Sequence, residues 1–309
     1  QDVLSLRGHE DQVFAVAFSP EGSLLATGGE TGVLRLWEIW SGEEVLRWKA
    51  HPYGITSLVF SRDGKTLVSA SWDETIRAWD PATGRQLGVL RGHRGDVACV
   101  RLSPDGRTLA SAGGDSTILF WNVADLGWDS KSKTEDVPSS RLEVLWKDLA
   151  GGDARRAHRA IDRLTRSSQV SLGFLREKLR LPPDPLCARI QAKVRDLDHS
   201  EFDVRERANK FLMQNGEEAR PALMKALQDS PSPELRERAT AILSVPHWPF
   251  QDFPNHLLGR QRAMRVLERV GTNEARALLK SVAESSPWSI EKRHALGALG
   301  RLDAQASVN

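Results

Sequence analysis

Two sets of serine, histidine and aspartate have the residue types of a hydrolase site, and they recur at one fixed spacing. The sets are His51, Ser69 and Asp73, and His93, Ser111 and Asp115. In a catalytic triad the serine attacks the substrate and the histidine takes its proton. We reject this chemistry, because the trio returns with a tryptophan, Trp79 or Trp121, and no Gly-x-Ser-x-Gly elbow surrounds either serine. We expect these polar groups to be buried and paired for stability.

An internal repeat sets this spacing and determines the fold of the first part of the chain. A histidine early in each unit and a tryptophan late in it both advance by 42 residues. The pairs are His9 and Trp37, His51 and Trp79, and His93 and Trp121. Self-similarity at such a period indicates a repeat architecture.

Each unit predicts four short strands. A short apolar run opens each unit and is typical of an inner strand that is buried on both faces. These runs are Val13 to Phe18, Ile55 to Phe60 and Val97 to Leu102. A turn with glycine follows each run. Further strands are expected at 24–27 and 33–37 with their equivalents in the later units, and a fourth at 45–48 or 87–90.

The ends of these units resemble the WD40 repeat family. The matching dipeptides are Gly8-His9, Ala50-His51 and Gly92-His93 at one end, and Trp37-Glu38, Trp79-Asp80 and Trp121-Asn122 at the other. The resemblance implies four-stranded antiparallel blades around a central channel, an arrangement that protects the sheet edges. It also implies one buried hydrogen-bond network per blade, built from a loop histidine, a serine or threonine, a turn aspartate and a tryptophan.

The implied network maps fully onto the second and third units and only in part onto the first. Its members are His51, Ser69, Asp73 and Trp79, then His93, Ser111, Asp115 and Trp121, and in the first unit His9, Thr27 and Trp37. Thr31 occupies the aspartate position of the first unit. We therefore expect a weaker network there, or one that Glu30 completes.

Three blades are fewer than the four to eight of a typical propeller, and an open arc leaves sheet edges unpaired. Residues 2–6 have the pattern of an outer strand for a preceding blade. We therefore expect the chain to be the C-terminal part of a longer protein, and the alternative is a homodimer that closes a six-bladed ring. We assign residues 1–124 to the three repeats, without an outer strand after the third, and residues 125–140 to a linker.

Residues 141–309 change to a period near 3.6, which predicts a domain of α-helices. Ser232 and Ser286, each followed by proline, are N-cap signals, and Gly216 and Gly271 lie where helices should end. The helices echo one another and resemble HEAT-type hairpins, which stack because no pair can bury its apolar face alone. The expected fold is therefore β plus α, a partial β-propeller followed by an all-α HEAT-like domain. The whole arrangement resembles the C-terminal part of bacterial WD40 proteins with a helical extension.

Charge divides unevenly between the two predicted parts. Residues 1–130 hold 12 Lys and Arg against 17 Asp and Glu, whereas residues 131–309 hold 31 against 24. Several basic residues line part of one helix, namely Arg155, Arg156, Arg159, Arg163 and Arg166. Clustered cations are what phosphate binding needs, but acidic residues lie nearby and no groove-reading motif appears. The pattern favours a solvated helix face over a nucleic-acid partner.

Other classes of function find little support in the sequence. No apolar run of about 18 residues exists, so we expect no membrane span, and we expect a cytoplasmic location. Cys99 and Cys187 fall in different predicted domains, which argues against a disulfide. The histidines of the helical part lack metal-ligand spacing, and no phosphate-cradling glycine loop appears. We therefore expect no metal, no cofactor and no enzymatic activity.

The function that remains is the binding of protein partners by a scaffold. Propellers bind through loops at one rim, where variable side chains are held by a rigid frame. The family pattern places Glu30 and Trp72 at that rim, and Tyr53 follows shortly after His51. An exposed tryptophan is a typical hot-spot residue, but packing against a neighbouring blade would explain Trp72 equally well. The alternative is a regulatory or docking tail of an enzyme, such as a kinase, or of a transcription factor.

Overall fold

The computed structural model describes residues 5–126, 137–180, 185–229, 231–244, 255–286 and 289–306. Most of the outer strand predicted at residues 2–6, and most of the linker predicted at 125–140, lie outside these ranges. Within the described residues, eleven strands and one short 3-10 helix precede ten α-helices.

Three antiparallel sheets follow one another along the chain, and we number them as blades. Blade 1 consists of β1 (Val13–Phe18), β2 (Leu24–Gly29), β3 (Val33–Glu38) and β4 (Glu43–Lys49). Blade 2 consists of β5 (Ile55–Phe60), β6 (Leu67–Ser71), β7 (Thr75–Asp80) and β8 (Arg85–Arg91). Blade 3 consists of β9 (Val97–Leu102), β10 (Thr108–Gly113) and β11 (Ile118–Asn122), and the 3-10 helix Val123–Leu126 follows it. Among the described residues blade 3 thus has three strands, and the missing outer-strand signal predicts this.

The inner strands β1, β5 and β9 lie side by side, and apolar side chains fill the space between successive blades. Ile55 is fully buried between blades 1 and 2, and Val100 between blades 2 and 3. The prediction that each inner strand is buried on both faces is wrong for β1, where Val16 is 64% and Phe18 63% exposed. Within the described part of the chain no blade covers this face. The outward face of blade 3 is open in the same way, since Phe120 is 74% exposed.

Ten helices form the second part of the described chain. They are α1 (Ser139–Ala150), α2 (Ala154–Arg166), α3 (Ser168–Leu179), α4 (Pro185–Asp196), α5 (Phe202–Gln214), α6 (Gly216–Gln228), α7 (Pro233–Ser244), α8 (Asn255–Val270), α9 (Asn273–Ser285) and α10 (Ser289–Ala306). Neighbours such as α1 and α2, α4 and α5, and α9 and α10 pack as hairpins. However, α8 packs against α1 and α2, so the order in space differs from a linear stack of hairpins.

The helices enclose two hydrophobic cores. The larger one joins α1, α2 and α3 to α8, α9 and α10, with Leu149, Ile161 and Leu267 fully buried in it. The smaller core joins α4 to α7 and contains Leu212 and Leu223. The return of α8 to α1 and α2 is explained by the larger core, because burial of apolar surface, not chain order, decides which helices pack.

The helix boundaries confirm one N-cap and correct one C-cap. The hydroxyl of Ser232 accepts a hydrogen bond from the N–H of Leu235 at 3.1 Å, as an N-cap should. Gly271, at φ +66°, ends α8 as predicted. Gly216 does not end a helix but begins α6. Helix α5 ends just before this glycine, with Asn215 as its C-cap. The side-chain amide of Asn215 donates to the carbonyl of Phe211 at 2.8 Å.

The helical domain packs against one end of blades 1 and 2. In an antiparallel blade the first and third turns lie at the same end, which we call the seam end; the opposite end is the rim end. His158 of α2 is buried there, and its Nε2 lies 3.1 Å from the carbonyl oxygen of Pro81 in the β7–β8 turn. Ala154 of α2 is fully buried in the core between blades 1 and 2. The two parts of the chain therefore share a core.

A buried ion pair lies at the centre of this seam. Arg262 of α8 donates to both carboxylate oxygens of Glu38, from Nε at 2.8 Å and from Nη2 at 2.5 Å. The side chains of Arg262 and Glu38 are only 2% and 3% exposed. The remaining nitrogen of Arg262 donates to the carbonyls of Leu149 and Gly151 at 2.8 and 2.7 Å. This guanidinium thus ties blade 1, α8 and the end of α1 together.

Candidate protein interaction surface

The hydrogen-bond network of blade 2 connects all four residues that the sequence singles out. Nε2 of His51 lies 2.7 Å from Oγ of Ser69, and its Nδ1 lies 2.9 Å from a carboxylate oxygen of Asp73. The indole N–H of Trp79 donates to the same Ser69 oxygen at 2.8 Å. Burial raises the pKa of Asp73, but hydrogen bonds from His51 and Thr75 outweigh that effect and lower the pKa to about 2.

This arrangement has the hydrogen-bond order of a catalytic triad but lacks access to substrate. Because Asp73 is ionised and can only accept, Nδ1 of His51 donates to it, and Nε2 of the neutral imidazole then accepts from the hydroxyl of Ser69. Burial lowers the pKa of His51, which favours this neutral form. Ser69, however, is 0% exposed, so its oxygen meets no external carbonyl. The network therefore holds the loop before β5 against the sheet.

Blade 3 repeats the same network. His93 contacts Ser111 through Nε2 at 2.9 Å and Asp115 through Nδ1 at 3.0 Å. Trp121 donates to Ser111 at 2.9 Å. The backbone N–H of Arg94 donates to Asp115. Of the several hydrogen bonds that lower the pKa of the Asp115 carboxyl, this one has the largest effect. Ser111 is 2% exposed and is as inaccessible as its counterpart in blade 2.

Blade 1 keeps the first half of the network and replaces the second. His9 and Trp37 both contact the hydroxyl of Thr27, at 2.7 and 2.8 Å. The carboxylate comes from Asp11, whose Oδ1 lies 3.4 Å from Nδ1 of His9. Its Oδ2 accepts a hydrogen bond from the backbone N–H of Thr31 at 2.6 Å. An aspartate on the loop thus lies near the histidine, but at 3.4 Å it makes no hydrogen bond with Nδ1 of His9, so this network is weaker than those of blades 2 and 3.

The expectation that Glu30 completes this network is wrong. Glu30 is exposed, and its backbone N–H donates to the carbonyl of Gln12 at 2.9 Å. Sequence reasoning missed Asp11, although a signal for it was present. Asp11 is an acidic residue two positions after His9, and Thr31 occupies the position where the other units have the aspartate that contacts the histidine. Burial raises the pKa of Asp11, but the hydrogen bond from Thr31 contributes to a net lowering.

The predicted binding residues lie at the rim end, opposite the helical domain. Trp72, in the β6–β7 turn, is 41% exposed and Tyr53, before β5, is 62% exposed. The ring of Trp72 packs against Phe14 of blade 1, with 5.2 Å between the centroids. It also lies over Gly54, where an added Cβ would come within 2.6 Å of the indole. Trp72 therefore contacts a neighbouring blade and also presents part of its ring to solvent.

Part of the basic helix α2 is engaged with the blades. Arg155 donates to the carboxylate of Glu44 on β4 at 2.8 Å. Arg166 pairs with Asp162 at 3.0 Å and lies 4.0 Å from Asp80 of blade 2. The acidic blades and the basic helices are thus complementary at the seam, and this accounts for part of the charge that suggested a nucleic-acid partner.

The described residues offer neither a metal site nor a membrane-spanning helix. No group of three or more His, Cys, Asp or Glu among them is placed to hold a metal ion. No described helix is long and apolar enough to cross a membrane. Cys99 is a free thiol, whereas the side chain of Cys187 lies outside the described residues.

The fold and the networks define a class, that of repeat proteins built from propeller blades with a helical domain attached. Comparison with known families agrees with this assignment. The family described as "WD domain, G-beta repeat" matches residues 1–38, 42–80 and 84–122. The first part of the chain therefore consists of three WD40 repeats, one for each blade.

Individual relatives match over about one repeat. The ribosome biogenesis protein ERB1 of Yarrowia lipolytica is 46% identical over 41 residues, which are 13% of this chain and 5% of that protein. Its counterpart in Chaetomium thermophilum is 51% identical over 39 residues, again 13% and 5%. The chain thus covers about 5% of the length of these relatives. Both organisms are eukaryotes, so the resemblance to bacterial proteins stays a prediction.

A solved structure, that of U3-55K, also resembles the chain. The TM-score is 0.38 at 23% sequence identity, over 40% of this chain and 39% of that one.

Proposed function

We propose that this chain is a non-catalytic scaffold that binds protein partners at the rim end of its blades. The observation that carries the proposal is the exposed aromatic surface of Tyr53 and Trp72, at the end that the helical domain leaves open. Such side chains supply large contact area and are enriched among hot-spot residues of interfaces.

The frame beneath these side chains is rigid, which favours binding over chemistry. Trp72 is held by Gly54 and Phe14, and its backbone N–H donates to the carbonyl of Gly54 at 3.0 Å. A pre-positioned aromatic ring loses little side-chain entropy on binding. The buried network of His51 fixes the loop that carries Tyr53, so both aromatic residues are presented by one small region of blade 2.

The helical domain complements this arrangement from the other end. Its contacts through Arg262 and His158 cover the seam end of blades 1 and 2. A partner at the rim end would then be held on the same body as the helical domain. Because matches to ERB1 span about one repeat, they support a shared blade, and the identity of the partner is left to experiment.

The proposal is tested with three single variants of the full chain. Proximity labelling in cells of the source organism, followed by quantitative mass spectrometry, identifies partners, and the affinity of each purified partner is then measured by calorimetry. We expect Tyr53→Ala and Trp72→Ala to weaken binding, with losses of roughly tenfold or more for a hot-spot residue. Phe202→Ala is the matched control, because Phe202 is 60% exposed but lies on α5 of the helical domain.

Two results would contradict this proposal. One is a purified partner whose affinity is unchanged by both rim variants. The other is a Trp72→Ala protein whose melting temperature falls as far as that of a core variant while Tyr53→Ala binds normally, since the rim aromatics would then serve the fold alone.

The location of the protein is a separate expectation. We retain the cytoplasm as the prediction, and the name of the ERB1 relatives supplies the alternative, a site of ribosome biogenesis. Fluorescence microscopy of the tagged protein in source cells distinguishes the two.

A further inference from the structure

A cavity of about 300 Å³ lies at the seam end, between the blades and the helical domain. The β1–β2 turn with Pro20, the β5–β6 turn with Arg62 and Lys65, and the last turns of α8 form its walls. A second cavity of about 170 Å³ shares Lys65, Arg269 and Val270 with the first. Neither space belongs to the rim surface described above.

Cations outnumber acids around the larger cavity. The basic residues in its wall are Arg62, Lys65, Arg265, Arg269 and Arg276, and the acidic ones are Glu21, Asp63 and Glu268. Two of the acids are already paired, Glu21 with Arg265 at 3.3 Å and Glu268 with Arg301 at 2.6 Å.

The other side chains leave a positive excess. Arg276 is paired with Asp303 and also donates to the carbonyl of Leu302 at 2.9 Å. Asp63 accepts from the hydroxyl of Ser61 at 2.6 Å and from the N–H of Lys65 at 3.0 Å, which fixes it in its own turn. Among the described residues, the side chains of three wall cations then have no ion pair or hydrogen bond. They are Arg62 and Lys65, which are exposed to solvent, and Arg269, which is partly buried.

Arg269 is the most unusual of the three. Burial and the neighbouring Arg265 lower its pKa, and Asp162 is the largest of the acids that act against this at longer range. An arginine side chain stays charged in proteins, so it cannot relieve the cost of burial by losing a proton. Arg269 lines both cavities, and its guanidinium is therefore available to a ligand in either of them.

The end of α8 accounts for only part of this charge. Helix C-termini carry roughly half a negative charge, which favours basic side chains in the last turn. The three unpaired cations outnumber the one unpaired carboxylate, Asp63, and Arg62 and Lys65 come from a blade turn and not from the helix. Solvent surrounds Arg62 and Lys65 in the free chain, and an anion in the cavity can contact them together with Arg269.

We propose that this cavity binds a compact phosphorylated small molecule. Guanidinium groups match phosphate oxygens in a fork of two hydrogen bonds, and the tetrahedral phosphate can meet cations from several directions. The volume is at the lower end of the range for small-molecule sites. Since the wall combines two blade turns with α8, a bound ligand would link the propeller part to the helical domain.

The test uses calorimetry of the full chain with pyrophosphate at low ionic strength, where charge-based binding is least screened. We expect Arg269→Gln and Lys65→Gln each to weaken binding by roughly tenfold, the loss that corresponds to one good charged contact. Arg156→Gln is the matched control, since Arg156 is 66% exposed, pairs with Asp153 and loses the same charge. We expect less than a twofold change in that variant.

Thermal unfolding supplies a readout that a structural role would not reproduce. Pyrophosphate should raise the melting temperature of the parent chain through linkage and should raise that of Arg269→Gln much less. Without ligand, Arg269→Gln should melt at the same temperature as the parent or higher, because it removes a partly buried charge that lacks a direct partner.

Several outcomes would overturn the proposal. The first two are a parent chain that does not bind pyrophosphate at millimolar concentration, and cavity variants that both bind it as tightly as the parent. The third is a lower melting temperature for ligand-free Arg269→Gln together with normal binding by Lys65→Gln. The fourth is an equal affinity for citrate, which carries similar charge without phosphate. If pyrophosphate binds as expected, titrations with a nucleoside diphosphate and with an inositol polyphosphate show which molecular frame carries the phosphate.

Discussion

Replacing Arg262 with methionine should destabilise the whole chain far more than its single lost charge suggests. The substitution keeps the volume of an unbranched side chain but leaves the buried carboxylate of Glu38 without its bidentate partner. It also removes the donor to the carbonyls of Leu149 and Gly151. Breaking a buried pair by removing one partner costs about 3–5 kcal/mol, because an uncompensated charge remains in the interior.

The assay is urea unfolding, followed by tryptophan fluorescence and by circular dichroism of the helices. The ten tryptophans report mostly on the blades, whose networks contain Trp37, Trp79 and Trp121. Hydrogen exchange of α8 and of β3 adds a local measurement, since both should lose protection together when their link is removed. Arg156→Met is the control, and as an exposed pair its loss should change the free energy of unfolding by no more than about 0.5 kcal/mol.

A double variant separates the cost of an unpaired charge from the cost of lost packing. Adding Glu38→Gln to Arg262→Met removes the stranded carboxylate, so the double variant should be more stable than the Arg262→Met single variant. The reasoning is refuted if Arg262→Met lies within about 1 kcal/mol of the parent chain, which is the range of an exposed pair. It is also refuted if the effects of the two substitutions simply add.

Two further predictions concern pH and the first blade. Burial, with a smaller effect of Arg265, lowers the pKa of His158 from 6.5 to about 3. The unfolded chain then binds the proton first, so this histidine contributes stability that is complete above its unfolded pKa and is lost as the pH falls from 6.5 toward 3. At pH 5 the loss of stability is about 2 kcal/mol. The variant His158→Gln keeps a donor for the carbonyl of Pro81, and its free energy of unfolding should decline less steeply between pH 6.5 and 4 than that of the parent chain. Parallel curves for the two chains would contradict this. In blade 1, Asp11→Ala should cost about 0.5–1.5 kcal/mol in urea unfolding, because Thr31 is exposed and water replaces the lost acceptor of its N–H, whereas Glu30→Ala should change little. Equal effects of these two variants would show that the assignment of Asp11 is wrong.

The repeat predicts most of the fold of the blades, because each unit carries its own strands, turns and network residues. His51, Ser69, Asp73 and Trp79 are all within 30 residues of one another, and a period that returns them in register fixes their neighbourhood. Asp11 escaped this reasoning because a carboxylate can reach the same histidine from the loop or from the turn. When the turn position holds no aspartate, as with Thr31 in the first unit, the spacing of the repeat does not show whether a loop residue supplies the carboxylate.

The seam was beyond sequence reasoning for a different reason. Arg262 and Glu38 are separated by more than 200 residues, and no local pattern marks either as buried. Charged residues are rarely buried unless they are paired, so a sequence that shows only one partner at a time predicts exposure for both. The opposite net charges of the two halves predict that they attract each other, but they do not predict which residues pair.

The residue after the recurring tryptophan of each unit explains how the two halves meet. Asp80 accepts from the N–H of Ala82 at 2.9 Å and from the hydroxyl of Thr83 at 2.9 Å, so most of its capacity is used in its own turn. At the equivalent position in blade 1, Glu38 is longer by one methylene and reaches out of the blade to Arg262. The departure from Trp-Asp in the first unit therefore has a physical reason: the longer side chain keeps a hydroxyl contact in its own turn, from Ser41 at 2.8 Å, and adds a bidentate ion pair with the helical domain.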